Sequence, residues 1–189
     1  MKKINFVLAM IIMFSSSVVF AQKVMVNTDK SGVEWHAKKI GTNHTGNIMV
    51  KSGHFELKDG NISAGTIIMD MTSITNTDLE NAGYNQKLVG HLKSDDFFGV
   101  AKFPTAKFVV AKSTVFTNSK ASLTGDITIK GKSETITFDV LKSENGYMAT
   151  IKVDRSNFDV RYGSDSFFDN LGDKAIDDIF ELHIKLVTN

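Results

Sequence analysis

From Leu123 onward, apolar and polar residues alternate with period two, and this pattern restricts the fold more than any other feature of the sequence. Asp126-Ile127-Thr128-Ile129-Lys130 alternates cleanly, with Leu123 and Gly125 on the same face. Thr135 to Val140 sets Ile136, Phe138 and Val140 on one side. Tyr147, Ala149, Ile151 and Val153 form the apolar side of the next segment. Near the end, Phe180, Leu182, Ile184 and Leu186 alternate with Glu181, His183 and Lys185. Each such strand lays one face on a core and the other in water.

Weaker strands are expected at Val33 to Ile40, Gly46 to Leu57, Asn61 to Met71 and Thr105 to Lys112, giving eight in all. Ile67-Ile68-Met69 is apolar on both faces, so that strand is expected to be covered outside as well. Asp59-Gly60-Asn61, Lys130-Gly131-Lys132 and Glu144-Asn145-Gly146 read as hairpin turns. The single proline, Pro104, sits beside a strand start, where its missing N–H does no harm. One stretch departs from period two. Between Asp78 and Phe98, Tyr84, Leu88 and Leu92 recur at helical spacing, which predicts a helix between the third and fourth strands. No repeat, linker or low-complexity run interrupts the chain. One mostly antiparallel β domain follows, and its edges are resolved by closure into a barrel or by a sandwich. Alternation does not choose between the two.

The first twenty-one residues read as an export signal. Lys2-Lys3 precedes the apolar run Ile4 to Phe14, and Val19-Phe20-Ala21 offers a cleavage site before Gln22. The run is shorter than the roughly 20 apolar residues a membrane span needs. Residues 22–189 are then the exported domain, with no integral membrane span. The chain has no cysteine, so disulfides, lipid attachment through a cysteine, Fe–S clusters and Cys-ligated zinc are ruled out. Its 22 Lys+Arg are matched by 21 Asp+Glu, so no basic excess points to nucleic acid.

Motifs for chemistry are sparse. The sequence contains no G-x-S-x-G, no S-x-x-K and no phosphate-binding glycine loop. His36, His44, His54, His91 and His183 have no metal-ligand spacing, and His36 and His183 are expected to face water. Asp165, Asp169, Asp173, Asp177 and Asp178 lack the order of an EF-hand and read as a solvated loop, with calcium as the alternative. No cofactor is implied.

His91-Leu92-Lys93-Ser94-Asp95-Asp96-Phe97-Phe98-Gly99-Val100-Ala101-Lys102-Phe103-Pro104-Thr105-Ala106-Lys107-Phe108 resembles the H-L-x-S-x-D-F-F-x-V-x-x-[YF]-P-x-x-x-F signature of the YceI-like, polyisoprenoid-binding family. Gly125 to Gly131 is similar to that family's G-x-L-T-I-x-G hairpin, with Ile127 where leucine is usual. Arg155-Ser156-Asn157-Phe158 resembles its R-S-x-F-G stretch, with Asp159 in place of glycine. Val33 to Ala37 fits the first strand loosely. The resemblance covers about Val24 to Val187. It implies a lipocalin-like, eight-stranded antiparallel barrel with a helical insertion after the third strand, located in the periplasm. The implied ligand is an isoprenoid or other long-chain lipid held inside, without catalysis.

An isoprenoid exposes several hundred Å² of apolar surface to water, and its burial is worth about 25 cal/mol per Å² before association costs. Alternation nominates Trp35, Ile67, Met69, Phe108, Ile127, Phe138, Ile151 and Ile184 as the apolar lining. The same residues would serve equally as ordinary core, since barrels of this size can be filled by side chains. A head group would sit at the mouth, near Asp78 to Leu92 or near Arg155 and Arg161. Two alternatives stand beside lipid binding: an enzyme acting on an apolar substrate in the same barrel, and a ligand-free barrel that binds partners. A homodimer is compatible with each of them.

Overall fold

A computed structural model describes residues 21–39 and 41–189. Nearly all of the expected signal segment, and Ile40 at the end of the first expected strand, lie outside the described residues. The strands are β1 (Gln22–Met25), β2 (Gly32–Lys39), β3 (Thr42–Lys58), β4 (Asn61–Asp70), β5 (Thr105–Ser113), β6 (Lys120–Ile129), β7 (Lys132–Ser143), β8 (Gly146–Asp154) and β9 (Ile179–Val187). A single α-helix, α1 (Ala82–Lys93), lies between β4 and β5.

All pairings are antiparallel, in the order β2-β9-β8-β7-β6-β5-β4-β3, and β3 returns to β2. The sheet is therefore a closed eight-stranded barrel. Closure depends on the length of β3: its first half pairs with β2 and its second half with β4. A register shift between Val50 and Ser52 marks where this long strand bends. β1, which has no alternation to reveal it, adds to the second half of β3 in the row that β2 has left. At the β3–β4 turn Asp59 and Gly60 have φ of 51° and 75°, and at the β6–β7 turn Lys130 and Gly131 have 50° and 76°. Positive φ at both central residues is the type I′ turn, whose twist matches the flanking strands.

Three expectations are corrected in detail. The second strand begins at Thr42 rather than Gly46, because Thr42 to Thr45 continue the ladder with Lys39 to His36 of β2. Gly46 faces Trp35 in the ladder, and a Cβ there would strike the indole and the Thr75 carbonyl. The helix is shorter than Asp78 to Phe98. Asn76 and Asp78 turn their side chains onto backbone outside the helix, and Asn81 caps it by accepting from the Gly83 and Tyr84 amides. It stops where the Ser94 hydroxyl donates to the His91 carbonyl. Finally, Ile68 is half-buried rather than covered.

Every strand runs between two ends of different construction. The hairpin end carries the short β3–β4, β5–β6 and β7–β8 connections. The insertion end carries α1 and the 155–178 connection. Two apolar clusters result. Val26, Phe55, Ile62, Leu123, Tyr147 and Leu186 pack at the hairpin end. Trp35, Ile74, Leu92, Phe97, Phe158 and Val160 pack at the insertion end.

Candidate functional site: an apolar cavity between two plugs

Between the two clusters the barrel leaves a cavity of about 120 Å³, measured as space for the centres of water-sized spheres. One water needs roughly 10–15 Å³ on that measure. Its surface is wholly apolar. The inward parity of the strands brings Ile67 and Met69 from β4, Phe108 from β5 and Ile127 from β6 to its wall. Phe138 from β7, Ile151 from β8 and Ile184 from β9 complete the nominated residues found there. Phe108 and Phe138 meet with ring centroids 5.4 Å apart, and Phe108 reaches this position because Gly125 beneath it has no side chain.

Trp35 is placed differently. It is buried, but its indole lies over Gly46, donates to the Thr75 carbonyl at 3.1 Å and does not border the cavity. Alternation gave its direction correctly and could not give its height along the barrel. Other wall residues escaped that reasoning, among them the aromatics Phe55, Phe98, Tyr147 and Phe180. Phe180 and Tyr147 sit in strands whose alternation had marked them as apolar. Phe98 comes from the family-like signature rather than from a strand, and its ring lies 6.5 Å from that of Phe180.

Of the two ionisable residues at the wall, Lys107 is exposed and Tyr147 is buried. Burial pushes its phenol above the ordinary value, so it stays neutral, with its ring against Phe55 at 4.9 Å. No carboxylate or imidazole faces the cavity. Such walls can exclude water and grip an apolar group.

The signature Leu92 to Phe108 builds the insertion-end plug. Leu92, Phe97 and Val100 are buried, and the Arg155 guanidinium stacks over the Phe97 ring at 5.5 Å. Arg155 is 2% exposed, which places it away from any mouth where a head group could meet it. Its Nε donates to Asp177 O, its Nη1 to Val160 O and Tyr162 O, and its Nη2 to Ile176 O. Asp178 Oδ1 faces Nη2 at 3.1 Å as an ion pair, while Oδ2 accepts from the Ser164 and Ser166 hydroxyls. Burial pulls the guanidinium below the usual arginine value, countered by Asp178, Asp154 and Asp177. Asp178 thus departs from the expected solvated loop, although Asp165, Asp169, Asp173 and Asp177 are exposed. Asp159 is left-handed, with φ of 60° and ψ of 32°, which explains why glycine suits this position and why aspartate is tolerated.

Outside the barrel, His36 and His183 stand 4.6 Å apart across β2 and β9, each bonded to a neighbouring glutamate, Glu34 and Glu181, at 2.7 Å. Among the described residues no three His, Cys, Asp or Glu side chains are arranged to hold a metal ion. No helix among them is long and apolar enough to cross a membrane.

A family model described as the YceI-like domain matches residues 25–188. The chain belongs to the YceI-like family. A UPF0312 protein of Vibrio parahaemolyticus is 27% identical over 147 residues, covering 71% of this chain and 69% of that one. Among solved structures, Burkholderia cenocepacia BcnA superposes with a TM-score of 0.67 at 24% identity, covering 87% of this chain and 99% of that one. A structure described as a polyisoprenoid binding domain, from Saccharophagus degradans, gives 0.60 at 13% identity over 88% of this chain and 97% of that one. At these identities the solved structures speak to the fold, and they share the YceI-like barrel described above.

Proposed function

We propose that this YceI-like protein binds a long apolar chain, an isoprenoid or a comparable lipid, inside its barrel. It carries or stores that chain in the periplasm and performs no chemistry on it. The observation that carries this reading is the cavity: closed by apolar plugs at both ends, wholly apolar in surface, and bordered by two titratable residues only, the neutral Tyr147 and the exposed Lys107. Burial at about 25 cal/mol per Å² gives an apolar chain ample reason to enter. The polyisoprenoid-binding description of the Saccharophagus degradans structure supports the same class of ligand. The resemblance of residues 1–21 to an export signal supports the location.

The cavity is smaller than the roughly 300–1,000 Å³ of common ligand pockets. A long chain therefore needs wall side chains to swing aside. Met69, Phe108, Phe138 and Ile184 are suited to this, since each is only partly buried beside empty space. Methionine in particular adapts to irregular apolar volumes.

Native mass spectrometry of the purified exported domain, followed by organic extraction and lipid identification, tests the proposal. The expected result is about one long-chain lipid per protein, lost in Phe108→Asp and Phe138→Asp variants that remain folded by circular dichroism. A protein that is empty and also fails to take up added polyprenol contradicts it.

A further inference from the structure

We infer that the seam between β7 and β8, rather than either end of the barrel, is the passage by which an apolar chain reaches the cavity. The inference rests on the binding reading above and adds a route to it. Neighbouring ladders run the length of their strands. β6 and β7 are registered from Lys120 opposite Leu141 to Ile129 opposite Lys132, and β8 and β9 from Gly146 opposite Val187 to Asp154 opposite Ile179. Between β7 and β8 the ladder runs only from Val140 opposite Ala149 to Ser143 opposite Gly146, beside the hairpin. Continued in register, it would set Asp139 against Thr150, Phe138 against Ile151 and Ile136 against Val153. No such pairing forms.

Two observations make this unpaired stretch a window rather than a covered irregularity. Ile136 points inward and does not border the cavity, yet it is only half-buried. The next polar bond across the gap lies towards the insertion end, where Asn157 Nδ2 donates to Glu134 Oε2 at 2.9 Å. The window thus extends from the Val140–Ala149 pair to the Asn157–Glu134 bond. Phe138 stands in it, borders the cavity and rests on Phe108. On the outer face, Leu141 and Met148 are 46% and 43% exposed beside the window. Val33, Ile48, Met148, Ala149 and Ile184 belong to the walls of both the cavity and an outer groove, and of these Met148 and Ala149 flank the unpaired stretch. Apolar surface is therefore continuous from outside to inside along this line.

The ends offer no comparable route. The hairpin end is closed by the buried side chains of Phe55, Leu123 and Leu186, and the insertion end by a plug tied through Arg155. Opening either end disrupts packing or buried hydrogen bonds, whereas parting the unpaired stretch of the seam breaks no ladder bond.

The chain has no cysteine, so Asp139→Cys with Thr150→Cys introduces a single disulfide across the seam. Bridging demands Cα atoms about 4.4–6.8 Å apart, so oxidation draws the window shut. Thr124→Cys with Thr137→Cys is the matched control on the paired β6–β7 seam, where the two threonine hydroxyls lie 2.8 Å apart. Geranylgeraniol uptake from cyclodextrin is followed through the single tryptophan and by native mass spectrometry. Oxidation of the β7–β8 pair is expected to slow uptake about tenfold or more, with recovery on reduction and no change in the control. Unchanged uptake in the oxidised seam variant overturns the route while leaving binding intact. Failure of every form to take up geranylgeraniol, reduced forms included, overturns the binding reading and the route with it. Phe138→Ala, which widens the window without a crosslink, is expected to speed uptake, and an unchanged or slower rate also counts against the seam.

Discussion

At the hairpin end the strands themselves present the plug: Phe55 from β3, Leu123 from β6, Tyr147 from β8 and Leu186 from β9 meet directly. At the insertion end the plug comes from chain that belongs to no ladder, the Leu92–Val100 and Phe158–Val160 segments. Those segments need an anchor, and Arg155 supplies it by gathering the carbonyls of Val160, Tyr162, Ile176 and Asp177 around one guanidinium. The difference shows how a barrel can be sealed twice. Side chains in register suffice where hairpins are short, and a buried charge organises the loops where connections are long. The cavity survives between the two because neither plug reaches the middle of the barrel.

Removing the anchor breaks this contrast most sharply. Arg155→Met leaves Asp178 without its cation and several buried carbonyls without donors, and breaking a buried pair from one side costs about 3–5 kcal/mol. Chemical denaturation is expected to register that loss. Hydrogen exchange is expected to locate it in the 155–178 segment and α1, with β3 to β6 at the hairpin end comparatively protected. Uniform deprotection would erase the distinction between the ends.

A smaller effect separates the plugs from the middle. Phe55 is 3% exposed, and Phe55→Ala is expected to cost about 3–5 kcal/mol, as for truncation in a filled core. Phe55 and Phe108 both border the cavity, but Phe108 is only partly buried, so Phe108→Ala is expected to cost less than Phe55→Ala while enlarging the cavity. Thermal denaturation of the two variants side by side measures the difference, and equal losses would mean that the middle is packed like the ends.

The smallest effect concerns acid. Burial raises the Asp78 carboxyl, but bonds from the Thr45 amide, His44 and Asn76 outweigh it and leave it below its ordinary value of 3.8. Because the folded value is the lower one, this stabilisation is complete above the unfolded value and disappears as pH falls through the folded value. Amide exchange at Thr45, which donates to Asp78 Oδ1, is expected to quicken below about pH 4 in the wild type and to lose that step in Asp78→Asn.

Much of the barrel was legible because alternation is a local signal. β6 to β9 each show it, and seven of the eight nominated residues stand at the cavity wall. Trp35 does not, since period two reports which face a residue occupies and says nothing of its height between the ends. β1 was invisible because Gln22-Lys23-Val24-Met25 is too short to alternate. The burial of Arg155 was equally hidden. A charged residue just after a strand reads as surface, and the carbonyls that bury it come from 160–177, a stretch without any periodic pattern. The family-like signature was legible as a string, but only the fold reveals that its Phe97 and Phe98 divide their work. Phe97 lies under the anchor, and Phe98 borders the cavity.

Binding inside the barrel is tested most directly by isotope-filtered nuclear Overhauser contacts between unlabelled geranylgeraniol and the methyl-labelled protein. Contacts from the isoprenoid methyls to Ile67, Met69, Ile127 and Ile151 are expected, since these side chains border the cavity and none of them borders the outer groove. Contacts confined to Met49 and Leu141 on the outer face, with the interior methyls silent, would contradict it.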